Sequence, residues 1–450
     1  MKMKTKRLSY ALAFLMTLSL CSCGASESNK AAVDTAPAAE FAPVADAAGG
    51  SYEGRDSYKT GEIIADSDES YAVFEEGGEY VYEESTGAVF GEKSETTAAE
   101  SYTDEYYYEK PQYSQAQAGL LTSGEWCDNE NFDFWKNLIS SRQEWSGIAK
   151  KWELNTLNRI AVNVTDGTEP VGNVTVKLMS GTTLLWESVS DNSGNAYLFD
   201  DFDGDNQYIP TKIIAEQNGT VLAEVEYSQG DNIELKLETA RKNVNALDLM
   251  FVVDTTGSMG DELYYLQTEL KDIVERVSSE NQIPVRVSVN FYRDTTDEYV
   301  VRSFDFTEDE DEAVMCISRQ DANGGGDYEE AVEKALDDAV NNHSWESSTR
   351  LMFLILDAPP HYNANNAAKL SDVLLKASAE GIRIIPVASS GVDTETEFLC
   401  RTFSLATGGT YTFLTDHSGV GGSHLEPTIG HYQVEKLNDM IVRIIGEYIA

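Results

Sequence analysis

The 450-residue sequence predicts a mostly parallel, doubly wound α/β domain preceded by an antiparallel β-sandwich and an acidic N-terminal region. Between about Leu157 and Glu238 apolar residues alternate with period two. After Asn243, continuous apolar runs alternate with stripes at helical spacing. Upstream of residue 118 neither period occurs, and between Glu53 and Lys110 seventeen acids face four bases.

The α/β part is the most legible. LDLMFVV is apolar throughout, as a strand covered on both faces requires. Leu263, Leu266, Leu270, Ile273, Val274 and Val277 then recur at helical spacing. VRVSVNFY is a second strand, and YVVRSFDF can add an antiparallel edge. The face Ala331, Val332, Ala335, Leu336 predicts a helix. LMFLIL, GIRIIPVA and TYTFL are three more buried strands, separated by helices around 367–380 and 395–406. A stripe from Val434 to Tyr448 closes the domain, which spans 244–450.

The sandwich is expected over 157–240. RIAVNVTD, NVTVKLM and NIELKLE alternate cleanly, and Asn218-Gly219 separates two β-rich runs as a hairpin turn does. About seven short strands make an antiparallel sandwich loosely resembling transthyretin-like or immunoglobulin-like modules. Its acidic loop, Asp201 to Asn206, is a weak candidate for calcium. Before it, residues 119–156 carry Trp126, Phe132, Phe134, Trp135, Trp145 and Trp152, too apolar for a linker. They predict a small cap on the neighbouring domain.

The N-terminus reads as an export signal: Lys2, Lys4, Lys6 and Arg7 precede an apolar stretch from Tyr10 to Leu20, too short to span a bilayer. Leu20-Cys21-Ser22-Cys23-Gly24 resembles a bacterial lipobox, with cleavage after Ser22 and a lipid on Cys23. The expectation is residues 1–23 as signal, 24–118 as a solvated acidic stalk, and an envelope protein held on the outer side of a membrane. Three cysteines then remain, and Cys316 and Cys400 could pair. With 77 acids against 33 bases the net charge is −44, which excludes nucleic acid as a partner and suits cations.

The chemistry gathers after the first α/β strand, in DTTGSMG. A phosphate cradle would need a lysine, which is absent. A nucleophile elbow would need glycine where Thr256 stands. A phosphoryl-aspartate loop would want an acid at that same position. A metal fits better: Asp254, Thr256 and Ser258 alternate, so a turn can bring three oxygens to one point. Further ligands should come from acids at the carboxyl ends of other strands, near the strand-order reversal. Asp357 ends LMFLIL, and Asp327 follows Gly324-Gly325-Gly326 at the expected start of the Ala331 helix.

This set resembles the von Willebrand factor type A domain with its metal-ion-dependent adhesion site. The match covers about Ala246 to Ala450, with DTTGS as the family's D-x-[ST]-x-S and Asp357 as its later aspartate. The resemblance implies a Rossmann-like sheet whose edge holds Mg²⁺ or Mn²⁺ and leaves one position for a partner's carboxylate. Ca²⁺ is not distinguished from these by sequence. Asp327 stands where the family commonly has threonine, and a third carboxylate weakens the metal's pull on an incoming one.

His417, His424 and His431 lie in one glycine-containing loop after the last strand, so they should border the partner site, as should His361. A zinc site there, with Asp416 or Glu426, is conceivable but has no compact spacing. The expected function is metal-dependent, non-catalytic binding of a protein or surface macromolecule. A hydrolase using His361, and a structural envelope component with a vestigial site, are the alternatives.

Overall fold

The computed structural model describes residues 116–204, 207–238 and 246–450. Cys23, the signal segment and the stalk up to residue 115 lie outside the described residues, as do Asp205 and Asn206 of the acidic loop. Among the described residues no helix is long and apolar enough to cross a membrane.

The chain enters through β1 (Thr122–Trp126), α1 (Phe132–Ser141) and α2 (Gln143–Trp152). Seven strands follow: β2 (Arg159–Thr165), β3 (Thr175–Ser180), β4 (Thr183–Val189), β5 (Asn195–Phe199), β6 (Lys212–Gln217), β7 (Thr220–Glu226) and β8 (Asn232–Lys236). They form two sheets, β5-β2-β8 and β4-β3-β6-β7. Asn218 and Gly219 turn β6 into β7 with φ of 51° and 73°, the positive values a tight hairpin demands. One pairing departs from the antiparallel expectation: β2 and β8 run parallel. β7 and β8 lie in different sheets, so the chain crosses between layers instead of folding back, and β8 arrives beside β2 in the same direction.

The α/β layer begins with β9 (Leu247–Asp254), α3 (Leu263–Glu280), β10 (Val285–Tyr292), β11 (Val301–Arg302) and α4 (Glu310–Ser318). It continues through α5 (Val332–Asn341), β12 (Thr349–Leu356), α6 (Ala364–Glu380), β13 (Ile382–Ala388), α7 (Thr394–Thr407) and β14 (Tyr411–Leu414). It closes with β15 (Glu435–Lys436) and α8 (Leu437–Ile449). The sheet order is β11-β10-β9-β12-β13-β14-β1-β15, with β10, β9, β12, β13 and β14 mutually parallel. Every residue of β9 is buried. Leu249, Phe251 and Val253 face the core under α3, α4 and α8, while Met250 and Val252 face the one under α5, α6 and α7. That two-sided burial is why LDLMFVV shows no alternation.

The aromatic segment touches the sandwich, where Arg159 of β2 lies 3.8 Å over the Phe132 ring and donates to the Asn129 carbonyl at 2.7 Å, but it is more than a cap. β1 is a strand of the large sheet, antiparallel to both β14 and β15. Trp135 and Trp145 close on Phe398 of α7 at centroid distances of 5.8 and 6.1 Å. Period-two alternation is too short in TSGEW to show which sheet recruits it. The sandwich packs on the α6–α7 side, where Trp186 donates its indole N–H to the Ser378 hydroxyl at 3.1 Å. Cys127, Cys316 and Cys400 are all free thiols.

Candidate metal centre

β10 lies on one side of β9 and β12 on the other, so strand order reverses at the carboxyl end of β9. A crevice at such a reversal is where open α/β sheets gather ligands. Asp254 is the last residue of β9, and Asp357 follows the last residue of β12, its neighbour. Both are buried.

The loop after β9 tightens into a 3-10 turn, Gly257–Asp261. Thr256 donates its backbone N–H and its hydroxyl to Asp254 Oδ1, at 2.8 and 2.7 Å. Its hydroxyl also lies 3.1 Å from that of Ser258. Thr256 thus orients Asp254 so that Oδ2 points elsewhere, and that oxygen has no hydrogen-bond partner. Asp357 Oδ1 and Glu330 Oε2 are likewise buried and unpartnered. Among the described residues, no lysine or arginine pairs with any of the three acids.

Three such groups cannot all ionise without a counter-ion. Burial, then the charge of Asp357, pushes Asp254 up to about 7. Burial pushes Asp357 up to about 6 against the restraining Ser258 hydroxyl. Burial, then Asp254, Asp294 and Asp357, pushes Glu330 up to about 9. Orphaned carboxyl oxygens with a hydroxyl beside them are the donor set a hard divalent cation takes. The residues present therefore fit such an ion, and a cleft of about 370 Å³ lined by Ser258, Asp261, Asp327, Glu330 and Asp357 opens beside them.

Asp327 differs from expectation in two ways. Helix α5 begins at Val332, with Ala331 at its cap, so Asp327 is not a helix cap. It is exposed, and its carboxylate gathers with Asp294 and His361, their ligand atoms all within 4.8 Å of one another. The interior place belongs to Glu330. The legible signal for Glu330 was an acid directly before the apolar stripe Ala331-Val332, where burial follows from position. The glycines before it have a clear cause. Gly324 and Gly325 take φ of 82° and 77°, and a Cβ on Gly324 would lie 2.4 Å from the Asp297 carboxylate.

The three loop histidines are not brought together. His424 bridges Glu262 and Asp416, its Nε2 and Nδ1 at 2.9 and 2.8 Å from their carboxylates. His417 is exposed on the 3-10 turn Asp416–Ser418. His431 lines a different cavity, with Trp126, Arg443 and Tyr448. Among the described residues, the group of metal-ligand atoms found includes none of these three. His361 Nε2 instead lies 2.6 Å from Asp294 Oδ1.

A protein of Acanthamoeba polyphaga mimivirus named as an ariadne-like RING finger protein is 33% identical over 126 residues. That alignment covers 27% of this chain and 12% of the viral protein's length. Residues 248–421 match the family model described as von Willebrand factor A domain, over the stretch that holds β9 to β14 and the acidic crevice. Such domains often bind a divalent metal and commonly mediate protein interactions, and the match supports a domain of this kind over those residues.

Proposed function

We propose that the crevice at the end of β9 holds a divalent cation, Mg²⁺ or Mn²⁺, and through it binds another macromolecule without catalysing a reaction. The observation that supports this most is the set of three buried, unpartnered carboxyl oxygens from Asp254, Glu330 and Asp357. Asp254 and Asp357 would hold the ion with Ser258 and Glu330, while Thr256 fixes the Asp254 carboxylate. When bound, the cation supplies an electrophilic position for an oxygen of the partner. The chain's own residues shape access to it: Asp327 and Tyr328 on one rim, Ser390 and Gly422 on the other. The sandwich and the lipid on Cys23 would carry this module outward from a bacterial envelope.

Calorimetry of Mg²⁺, Mn²⁺ and Ca²⁺ on the full chain and on Asp254→Ala tests this. Loss of a ligand should weaken binding by at least about 100-fold, since even outer-shell changes cost 10–100-fold. Identical isotherms would sink the metal assignment. Envelope partners that stay bound in EDTA would sink the metal-dependent capture.

A further inference from the structure

We propose that the cavity at the amino end of β14 binds a neutral oligosaccharide, on the sheet edge opposite the metal crevice. Gly408, Gly409 and Thr410 lead into β14, which runs parallel to β13, so they lie at the strand ends away from Asp254 and Asp357. Trp126 pairs with Tyr411 at that end and brings the loop after β1 alongside. The turn between β4 and β5 adds Asn192 and Ser193 from the sandwich, and α8 adds Arg443 and Glu447. These pieces surround about 610 Å³. A second cleft of about 590 Å³ shares Glu125, His431 and Arg443 with it and adds Tyr432 and Gln433. The shared wall makes the site elongated, a shape that suits several linked rings better than one.

The walls set the ligand class by exclusion. Small-molecule sites run to about 300–1,000 Å³ and are mostly apolar. This one is walled largely by amides, hydroxyls and carboxylates, which an apolar ligand would leave unpaired. An anion gains little from Arg443, which already bonds Glu125, Glu435 and Glu447 at 2.8, 2.9 and 3.0 Å. Among the described residues, the converging metal-ligand atoms include none of these acids. An ammonium ion only donates, so it would leave the protons of Ser193, Tyr197 and Thr410 without an acceptor.

Sugar hydroxyls both donate and accept, and vicinal pairs of them match the side-chain amides of Asn131 and Asn192. Those amides donate to the carbonyls of Cys127 and Tyr448, which fixes them before any ligand arrives. Trp126 supplies aromatic surface for the C–H face of a ring, its indole N–H being held by Asp128 at 3.0 Å. An independent pointer to a ligand is Thr410. It is 4% exposed, it lines the cavity, and its hydroxyl has no hydrogen-bond partner. A buried hydroxyl left in that state is costly until something meets it.

The test is calorimetry of the full chain with cellotetraose, mannotetraose, maltotetraose and chitotetraose, each at millimolar concentration. Spermidine and tetragalacturonate serve as charged counterparts. The expected result is saturable binding of at least one neutral probe, tighter than either charged one and undiminished in EDTA. Thr410→Val keeps the volume and removes the hydroxyl, and should weaken that binding about two- to tenfold. Ser193→Phe puts a bulky ring on the wall and should abolish it at an unchanged melting point. Ser193 is exposed, so its variant decides the matter should Thr410→Val fail to fold. Retention on the matching insoluble polymer marks a surface glycan as the source, and binding of the soluble oligomer alone marks a free sugar. No saturable binding of any neutral probe, tighter binding of spermidine, or wild-type affinity in Ser193→Phe would overturn the site. Sugar binding that disappears in EDTA would belong to the metal crevice and would overturn it equally.

Discussion

Glu330 is the residue on which the site's behaviour turns. It is buried among like charges, and its carboxyl is raised from an ordinary value to about 9. A carboxyl raised on folding contributes stability below its unfolded pKa and loses it as pH climbs to the folded value. Chelated protein should therefore melt lower at pH 8 than at pH 5. In Glu330→Gln that slope should flatten and stability at pH 8 should rise by on the order of 1–3 kcal/mol. The same variant should weaken Mg²⁺ binding, because it removes an acid facing the ion. Paired thermal melts and calorimetry check both signs, and a less stable Glu330→Gln would contradict the electrostatic account. Asp254, raised to about 7, adds to the same slope.

Among the elements, the strap from Asp416 to His431 is pinned near its middle by His424 and farther along by Glu397 and Arg401 at Thr428. His424 is clasped by Glu262 and Asp416, and the neighbouring Gly422 N–H reaches Ser390 on the cleft rim at 3.2 Å. Burial lowers the His424 pKa, but the bonds to Glu262 and Asp416 outweigh it and raise it above the ordinary value. A raised histidine stabilises fully below its unfolded pKa, near 6.5, and the gain is lost as pH rises through the folded value. His424→Ala should cost about 1–3 kcal/mol at pH 6, the range for hydrogen bonds to charged groups, and less at pH 9. Hydrogen exchange over residues 416–431 reads this directly: wild-type protection should fall with pH in excess of the intrinsic rate, and the variant's should not. The sequence placed this loop on the metal-bearing edge, and of its three histidines His424 alone clasps the strap while His417 and His431 lie apart from it.

On the scale of the whole molecule, the large sheet is assembled from both ends of the described chain. β1 lies between β14 and β15, and Arg401 of α7 is fully buried against Asp128, with bonds of 2.7 and 2.8 Å, and against Glu397 at 3.0 Å. A fragment beginning at residue 246 would leave β14 an open edge, Phe398 uncovered and Arg401 short of one partner. Breaking a buried ion pair from one side costs about 3–5 kcal/mol. In a domain of this size that corresponds to a melting point lower by roughly 10 °C or more than that of residues 116–450. Equal melting points would show that the N-terminal segment is only an appendage. The expected boundary at residue 244 left out this contribution because strand pairing across 285 or more residues leaves no local trace in TSGEW.

Periodicity alone established the α/β layer, the seven-strand sandwich and the order of buried strands, since a two-sided or one-sided environment imposes its own spacing on apolar residues. The loop DTTGSMG likewise announced its oxygens, and Asp357 its place at a strand end. What only the tertiary structure decided was which distant acids share the crevice. It put Glu330 inside, set Asp327 on the rim of the same cleft beside Asp294 and His361, and wove β1 into the sheet. Side-chain convergence depends on how loops from separate strands fold over one edge, and hydrophobic spacing carries no information about that.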